Sequence, residues 1–506
     1  MNSDLDEFSV GVHGLLSRQL SQAPAGEEAI DALERNIEQS MANVFRSFRK
    51  AKNDETRVNS LPREILVTFL SAVEPNAIEA LKLSHVCQHW REVVLAEPAL
   101  WSRIELAGNT QCSRTVLGAL LERTSPATPL ELSLSVSAGH SDVQALGQLV
   151  SDHLPHLASL SLTGDSASLG TIQAALVLPA PSLRVLEMTD IDERYVAIVH
   201  MEIFARKVPQ LHRLVLSNVV PRIWTHFLFA APKLQDLTLA GSMLSPSTFD
   251  LAHCLSTAPE LRRLCLEDCG IRPFPPHPGD EALWDAKHLE SLKMTGQDEH
   301  TVTFILQHLP FKALTSIEVS PASLSSMVQL LKSLPTPLVS LALESPVALQ
   351  SISIRAAGAA AENGEPAVRE GEVRSTNGVP CILLFQQLVP SLTSALTHMC
   401  ISYELWPHVL LLALPTLQTL IIGYIAVPPP AYQLSLFLNT VLRVPVATLA
   451  YLLQSAVRTN TGKMKELVLV NMYAEEEPGS GDVLLSLCTV APRISFVPVL
   501  PARLQV

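Results

Sequence analysis

The chain has 506 residues, with 47% hydrophobic but only 5% aromatic side chains. Its apolar content is therefore mainly aliphatic, enough to bury a large core of Leu, Val, Ala and Ile. A formal net charge of −13 argues against a nucleic-acid binder, whose affinity rests on neutralising phosphates with Lys and Arg, and fits a binder of proteins. The acidic opening residues lack the basic and apolar regions of a signal peptide, and no apolar run approaches the ~18 residues of a spanning helix. The eight cysteines are scattered and no Asn-x-Ser/Thr acceptor occurs, so a reducing compartment, cytoplasm or nucleus, is expected.

Residues 1–56 read as a helical segment. Ile30, Leu33, Ile37, Met41, Val44 and Phe48 recur at helical spacing, and Arg46, Arg49, Lys50 and Lys52 gather behind them. Two readings stand: a short dimerising coil, or a helix packed on its own protein with cations at the negative end of its dipole. Residues 57–106 read as a small helical bundle. Pro62 suits a first helical turn capped by Ser60, with Ile65, Leu66 and Phe69 along one side. Leu83, Val86, Cys87, Trp90 and Val94 are then spaced as one face of a second helix.

The order Leu61-Pro62-x-Glu64-Ile65-Leu66, then Val86-Cys87-x-x-Trp90, then Leu100-Trp101 resembles an F-box, and the helix before it resembles that of many fungal F-box proteins. The resemblance implies that Leu61, Pro62, Ile65, Leu66, Val86, Cys87, Trp90, Leu100 and Trp101 build the box and the face that docks a Skp-type adaptor, and through it a cullin. On sequence, these nine do not sort into adaptor contacts and internal core. The connector Glu74-Pro75-Asn76-Ala77-Ile78 is more polar than the family's.

From about residue 125 a unit Pro-x-Leu-x-x-Leu-x-Leu recurs. Its first leucines are Leu157, Leu183, Leu211, Leu234 and Leu261, each with the proline, then Leu289, Leu314 and Leu338 without it, at intervals of 26, 28, 23, 27, 28, 25 and 24 residues. Looser units follow at Leu396, Leu417 and Met464, with Ile494-Val497-Val499 as a degenerate last one. The second and third apolar residues are two apart, so both enter the core from one short strand. The proline ends the preceding helix. Such a strand–turn–helix unit buries its leucines only by stacking on its neighbours. Spacing and pattern resemble leucine-rich repeats, most fully in Leu261-x-x-Leu264-x-Leu266-x-x-Cys269-x-Ile271.

Residues 356–379 are small and polar and read as a flexible insertion; Ala474–Asp482 reads as a shorter loop of the same kind. His85, His89 and Glu92 share a helix face, and Cys265 and Cys269 lie near His253 and Cys254. The F-box pattern accounts for Cys87 and the repeat's own Cys position for Cys269, so no metal is assigned. No nucleophile elbow, metalloprotease motif or phosphate loop is present, and no cofactor is expected. Residues flanking the inward leucines line the opposite face of the strands; Arg213, Asp236, Arg263, Glu267 and Lys293 are the candidates there for holding a protein target.

The expected architecture is α/β: an all-α F-box bundle, then a leucine-rich-repeat horseshoe over residues 107–506, its parallel sheet concave and its helices convex. The expected function is non-enzymatic, a substrate-recognition subunit of a Skp–cullin–F-box ubiquitin ligase with an unidentified protein target and neither nucleic acid nor membrane as partner. The alternative is a repeat scaffold or inhibitor acting outside a ligase.

Overall fold

The computed structural model describes residues 10, 13–14, 17–18, 27–106, 113–137, 142–192, 197–200, 202–221, 231–241, 246–271, 286, 288–309, 314–334, 337–347, 351–360, 366–374, 395–402, 405, 416–423, 442–445, 465–470, 472–475 and 493–497. No helix among them is long and apolar enough to cross a membrane. The chain forms two compact units, Met1–Leu162 and Thr163–Val506.

The first unit opens with α1 (Glu27–Asp54) and a 3-10 turn, Arg57–Ser60. Then come α2 (Arg63–Ser71), α3 (Ala77–Leu83), α4 (Gln88–Leu95) and a second 3-10 turn, Pro98–Trp101. Helix α4 packs on both α2 and α3, and the second turn packs on all three. Leu66, Leu70, Ala77, Ala80, Val93, Val94, Leu100 and Trp101 are buried there, at ~1.5–3 kcal/mol for each large side chain removed from water.

Two local expectations are corrected here. Ser60 does not cap a helix: it ends the 3-10 turn, its hydroxyl donates to the Arg57 carbonyl at 2.8 Å, and Pro62 is the N-cap of α2. Nor is Leu83–Val94 a single helix. The Ser84 hydroxyl donates to the Leu81 carbonyl at 2.7 Å just past the end of α3, and Cys87 is fully extended (φ −157°) as the N-cap of α4. A serine that bonds its own backbone at a helix end competes with further helix. The polar connector also has a structural use. Asn76 accepts from the Glu79 N–H at 2.9 Å while the Glu79 carboxylate accepts from the Asn76 N–H at 3.0 Å, a reciprocal capping box on α3.

Strand pairing begins earlier than the recurrent motif. β1 (Arg103–Leu106) pairs in parallel with β2 (Leu130–Val136), setting Ile104 level with Leu132 and Leu106 with Leu134. β3 (Leu157–Gly164) follows in the sheet. Helices α5 (Arg114–Leu121) and α6 (Val143–Asp152) lie between these strands in sequence.

In the second unit β4 (Val185–Asp190), β5 (Arg213–Ser217), β6 (Asp236–Ala240), β7 (Arg263–Glu267), β8 (Ser291–Thr295) and β9 (Ser316–Ala322) lie side by side, parallel and in chain order. Among the helices between strands are α7 (Ser166–Ala175), α8 (Thr248–Thr257), α9 (Glu299–His308) and α10 (Leu324–Lys332). The register sets one buried row, Leu186, Leu214, Leu237, Leu264, Leu292 and Ile317, beside another, Met188, Leu216, Leu239, Leu266, Met294 and Val319. The leading Leu183, Leu211, Leu234, Leu261, Leu289 and Leu314 are buried as well. Period two within a strand and identical register between strands make each leucine a neighbour of its counterpart.

The turns after these strands interlock. Asn218 (φ 54°), Gly241 (φ 123°), Asp268 (φ 51°) and Gly296 (φ 67°) each follow a strand with positive φ. Their N–H groups donate in turn to the carbonyls of Ala240, Glu267, Thr295 and Ser320 on the next strand, at 2.7, 2.8, 2.7 and 2.6 Å. Asn and Asp tolerate this conformation and glycine adopts it freely. The alternation is steric too: a Cβ on Gly241 would stand 1.9 Å from Asn218 Oδ1, and one on Gly296 1.7 Å from Asp268 Oδ1.

The regular order then breaks. β10 (Leu338–Val347) runs antiparallel to β11 (Ser351–Ala360), which runs antiparallel to β12 (Pro366–Arg374). Strand β12 is the one that pairs in parallel with β9. Beyond β10 lie β13 (His398–Ser402), β14 (Thr419–Gly423), β15 (Glu466–Val470) and β16 (Arg493–Val497), again parallel. Residues 356–360 and 366–374, read from sequence as part of a flexible insertion, are thus strands wedged into the sheet. Their small residues permit close approach: Ala356 is fully buried, and a Cβ on Gly371 would meet the Val319 carbonyl at 2.8 Å. Arg369 occupies the buried position level with Ile317. Its Nε donates to Ser333 Oγ at 3.1 Å and a terminal nitrogen to the Val368 carbonyl at 2.9 Å, while burial pulls its pKa down to about 10.

The last unit is also re-registered. Ile494 and Phe496 stand level with Leu467 and Leu469, so the strand starts three residues before the one expected at Val497 and Val499. Val499, and residues 476–482 of the second loop, lie outside the described residues.

Candidate protein-interaction surfaces

The nine residues singled out in the box divide by burial. Leu66, Leu100 and Trp101 are its internal core, and a partner cannot touch them without unfolding it. The Trp101 indole donates to the Val94 carbonyl at 2.9 Å, and the Arg123 guanidinium lies 5.2 Å from its ring centroid. Trp90 is half-buried, and its Nε1 donates to Asn59 Oδ1 at 2.7 Å; Asn59 in turn donates to the Asn53 carbonyl at 2.7 Å. It thereby clamps the end of α1 to α4. Cys87 and Leu61 are half-buried, and Pro62 is exposed. Ile65 and Val86 are 53% and 57% exposed, a cost in water that a partner's surface would remove.

The sequence reading missed part of this surface. Phe69, 57% exposed, continues the face of Ile65 four residues on along α2, and Val73, 68% exposed, follows in the turn just past the helix end. Leu81 is also exposed. The spacing of Ile65, Phe69 and Val73 was readable; which side of α2 faces α4 was not. In the fold Leu66 and Leu70 turn inward, and Arg63 donates to the Ala96 carbonyl at 3.2 Å at the start of the helix.

In the second unit, Arg213, Asp236, Arg263, Glu267 and Lys293 all lie on the strand face opposite the leucine rows, as their alternation requires. They are paired across strands rather than presented singly. Arg213 meets Glu187 at 3.2 Å, Arg263 meets Asp236 at 2.5 Å, and Lys293 stands between Glu267 at 3.9 Å and Glu318 at 3.5 Å. Beside them Arg262 meets Glu290 at 3.0 Å. Asp236 raises the pKa of Arg263, and Glu318 raises that of Lys293. Cys265 lies in the same row as Lys293; burial and its hydrogen bond to Glu267 push its thiol up to about 12. Cys269 donates to the Leu239 carbonyl of the neighbouring strand at 3.0 Å, so its thiol ties the turn after β7 to β6. Among the described residues no group of three His, Cys, Asp or Glu side chains is placed to hold a metal ion.

Among the described residues the two surfaces differ chemically, one apolar and one charged. No curated protein matches the chain. Among solved structures, the crystal structure of the Rad7 and Elc1 complex in yeast aligns over 92% of this chain and 96% of that chain, at 12% identity and a TM-score of 0.31. The sequence of residues 58–107 matches the model of the F-box-like family, over the same helices and turn whose exposed edge carries Ile65, Phe69 and Val86. Residues 58–107 are an F-box-like domain.

Proposed function

We propose that this protein is a non-enzymatic substrate-recognition subunit of a Skp–cullin–F-box ubiquitin ligase. The observation that carries the reading is an F-box-like domain whose apolar side chains Ile65, Phe69, Val73 and Val86 lie exposed while its own core is complete. Pro62, Ile65, Phe69 and Val86 dock the Skp-type adaptor, which brings the cullin. The rows of stacked leucines are leucine-rich repeats, and Arg213, Asp236, Arg263, Glu267 and Lys293 on their strand face hold the protein target. The subunit contributes proximity: it raises the effective concentration of a target lysine beside the charged conjugating enzyme.

Affinity purification of the full chain tests this. The adaptor and cullin are expected together, and Ile65→Asp with Phe69→Asp removes both. Adaptor without cullin would place the protein outside a ligase, and absence of the adaptor would overturn the role of the box.

A further inference from the structure

Helix α1 carries an apolar stripe that its own unit covers in part. Ile37, Met41 and Val44 are half-buried and Phe45 and Phe48 exposed. Among the described elements the helix packs chiefly on the turn Arg57–Ser60 that follows it. It has 28 residues, a length of roughly 42 Å at the usual rise, and helices of this kind owe most of their stability to covering the apolar face.

The charges of α1 are sorted by sign. Its first half carries Glu27, Glu28, Asp31, Glu34 and Glu38 against Arg35, and its second half Arg46, Arg49, Lys50 and Lys52 against Asp54. The helix dipole accounts for charges in the first and last turns, where its effect is felt. It does not account for Asp31, Glu34, Glu38 and Arg46, which stand further in. Two such helices laid parallel would oppose like charges along their whole length, whereas an antiparallel pair opposes acidic to basic halves.

We propose that α1 pairs with α1 of a second copy of this chain, antiparallel and centred on Gln39. That centre sets Ile30 level with Phe48, Leu33 with Phe45 and Ile37 with Met41, with Glu28 level with Lys50 and Glu34 level with Val44, so three apolar pairs align while the acidic half of each helix lies along the basic half of the other. The stripe keeps the period of a straight helix, which suits a short crossing rather than a long supercoil. The pairing does not depend on the ligase reading; within it, two joined receptors would hold a target with two sites by avidity.

Sedimentation of the full chain tests the pairing. The wild type is expected at twice the chain mass of 55.0 kDa at micromolar concentration. Arg46→Glu with Arg49→Glu, both exposed, should weaken the dimer about tenfold or more, and adding Glu28→Lys with Asp31→Lys should restore it to within about threefold. Circular dichroism of each variant should match the wild type. A monomeric wild type overturns the proposal, as does a dimer indifferent to the first pair of reversals. Failure of the second pair to restore the dimer overturns the antiparallel register.

Discussion

The box edge and the strand face are both exposed, but they meet water on different terms. On the box, Ile65, Phe69, Val73 and Val86 are apolar groups that the domain's own core does not need. On the strand face, every cation among the candidates already has a carboxylate within 4 Å on an adjacent strand. An apolar edge gains wherever a complementary surface covers it, and so suits a constant partner. A face of exchanged ion pairs gains only from a partner able to replace them, and so suits selection. On the proposed reading the contrast predicts different salt responses: adaptor binding insensitive to ionic strength, and target binding weakened by it.

Leu264, buried level with Leu237 and Leu292, holds β7 in place; Leu264→Ala should cost about 2–5 kcal/mol, measured by pulse proteolysis. A turn at the end of the strands comes next. Gly296→Ala combines a positive φ with a clash against Asp268 Oδ1 and should cost roughly 1–3 kcal/mol, partly recovered by Asp268→Gly. Arg263→Glu faces Asp236, whose Oδ1 is buried without a hydrogen-bond partner among the described residues; it should cost about 1 kcal/mol or less, and less still in high salt. Smallest of all is the box edge: Ile65→Asp with Phe69→Asp should leave stability within about 0.5 kcal/mol, as surface changes do.

How much of this was legible depended on range. The leucine spacing fixed the strand register from β4 to β9, because one period of two and one recurring unit determine both. Ser84 and Cys87 break a helix that the apolar spacing ran straight through, since the pattern counts residues and not backbone direction. The burial of Leu66 against the exposure of Ile65 needs the packing angle of α2 on α4, which no local signal carries. The strands at 351–360 and 366–374 hid behind alanines and glycines, whose close packing becomes visible only beside β9. The pairing of Arg263 with Asp236 follows from register, and was implicit once the units were aligned.

The central claim is that the exposed edge of the F-box-like domain docks the adaptor. A calorimetric titration of the full chain with a Skp-type adaptor tests it most directly. Wild type and Arg213→Glu with Arg263→Glu are expected to bind alike, while Ile65→Asp with Phe69→Asp should lose about 2 kcal/mol or more per anchor removed. Equal binding by all three proteins would contradict the account, as would loss confined to the strand-face variant.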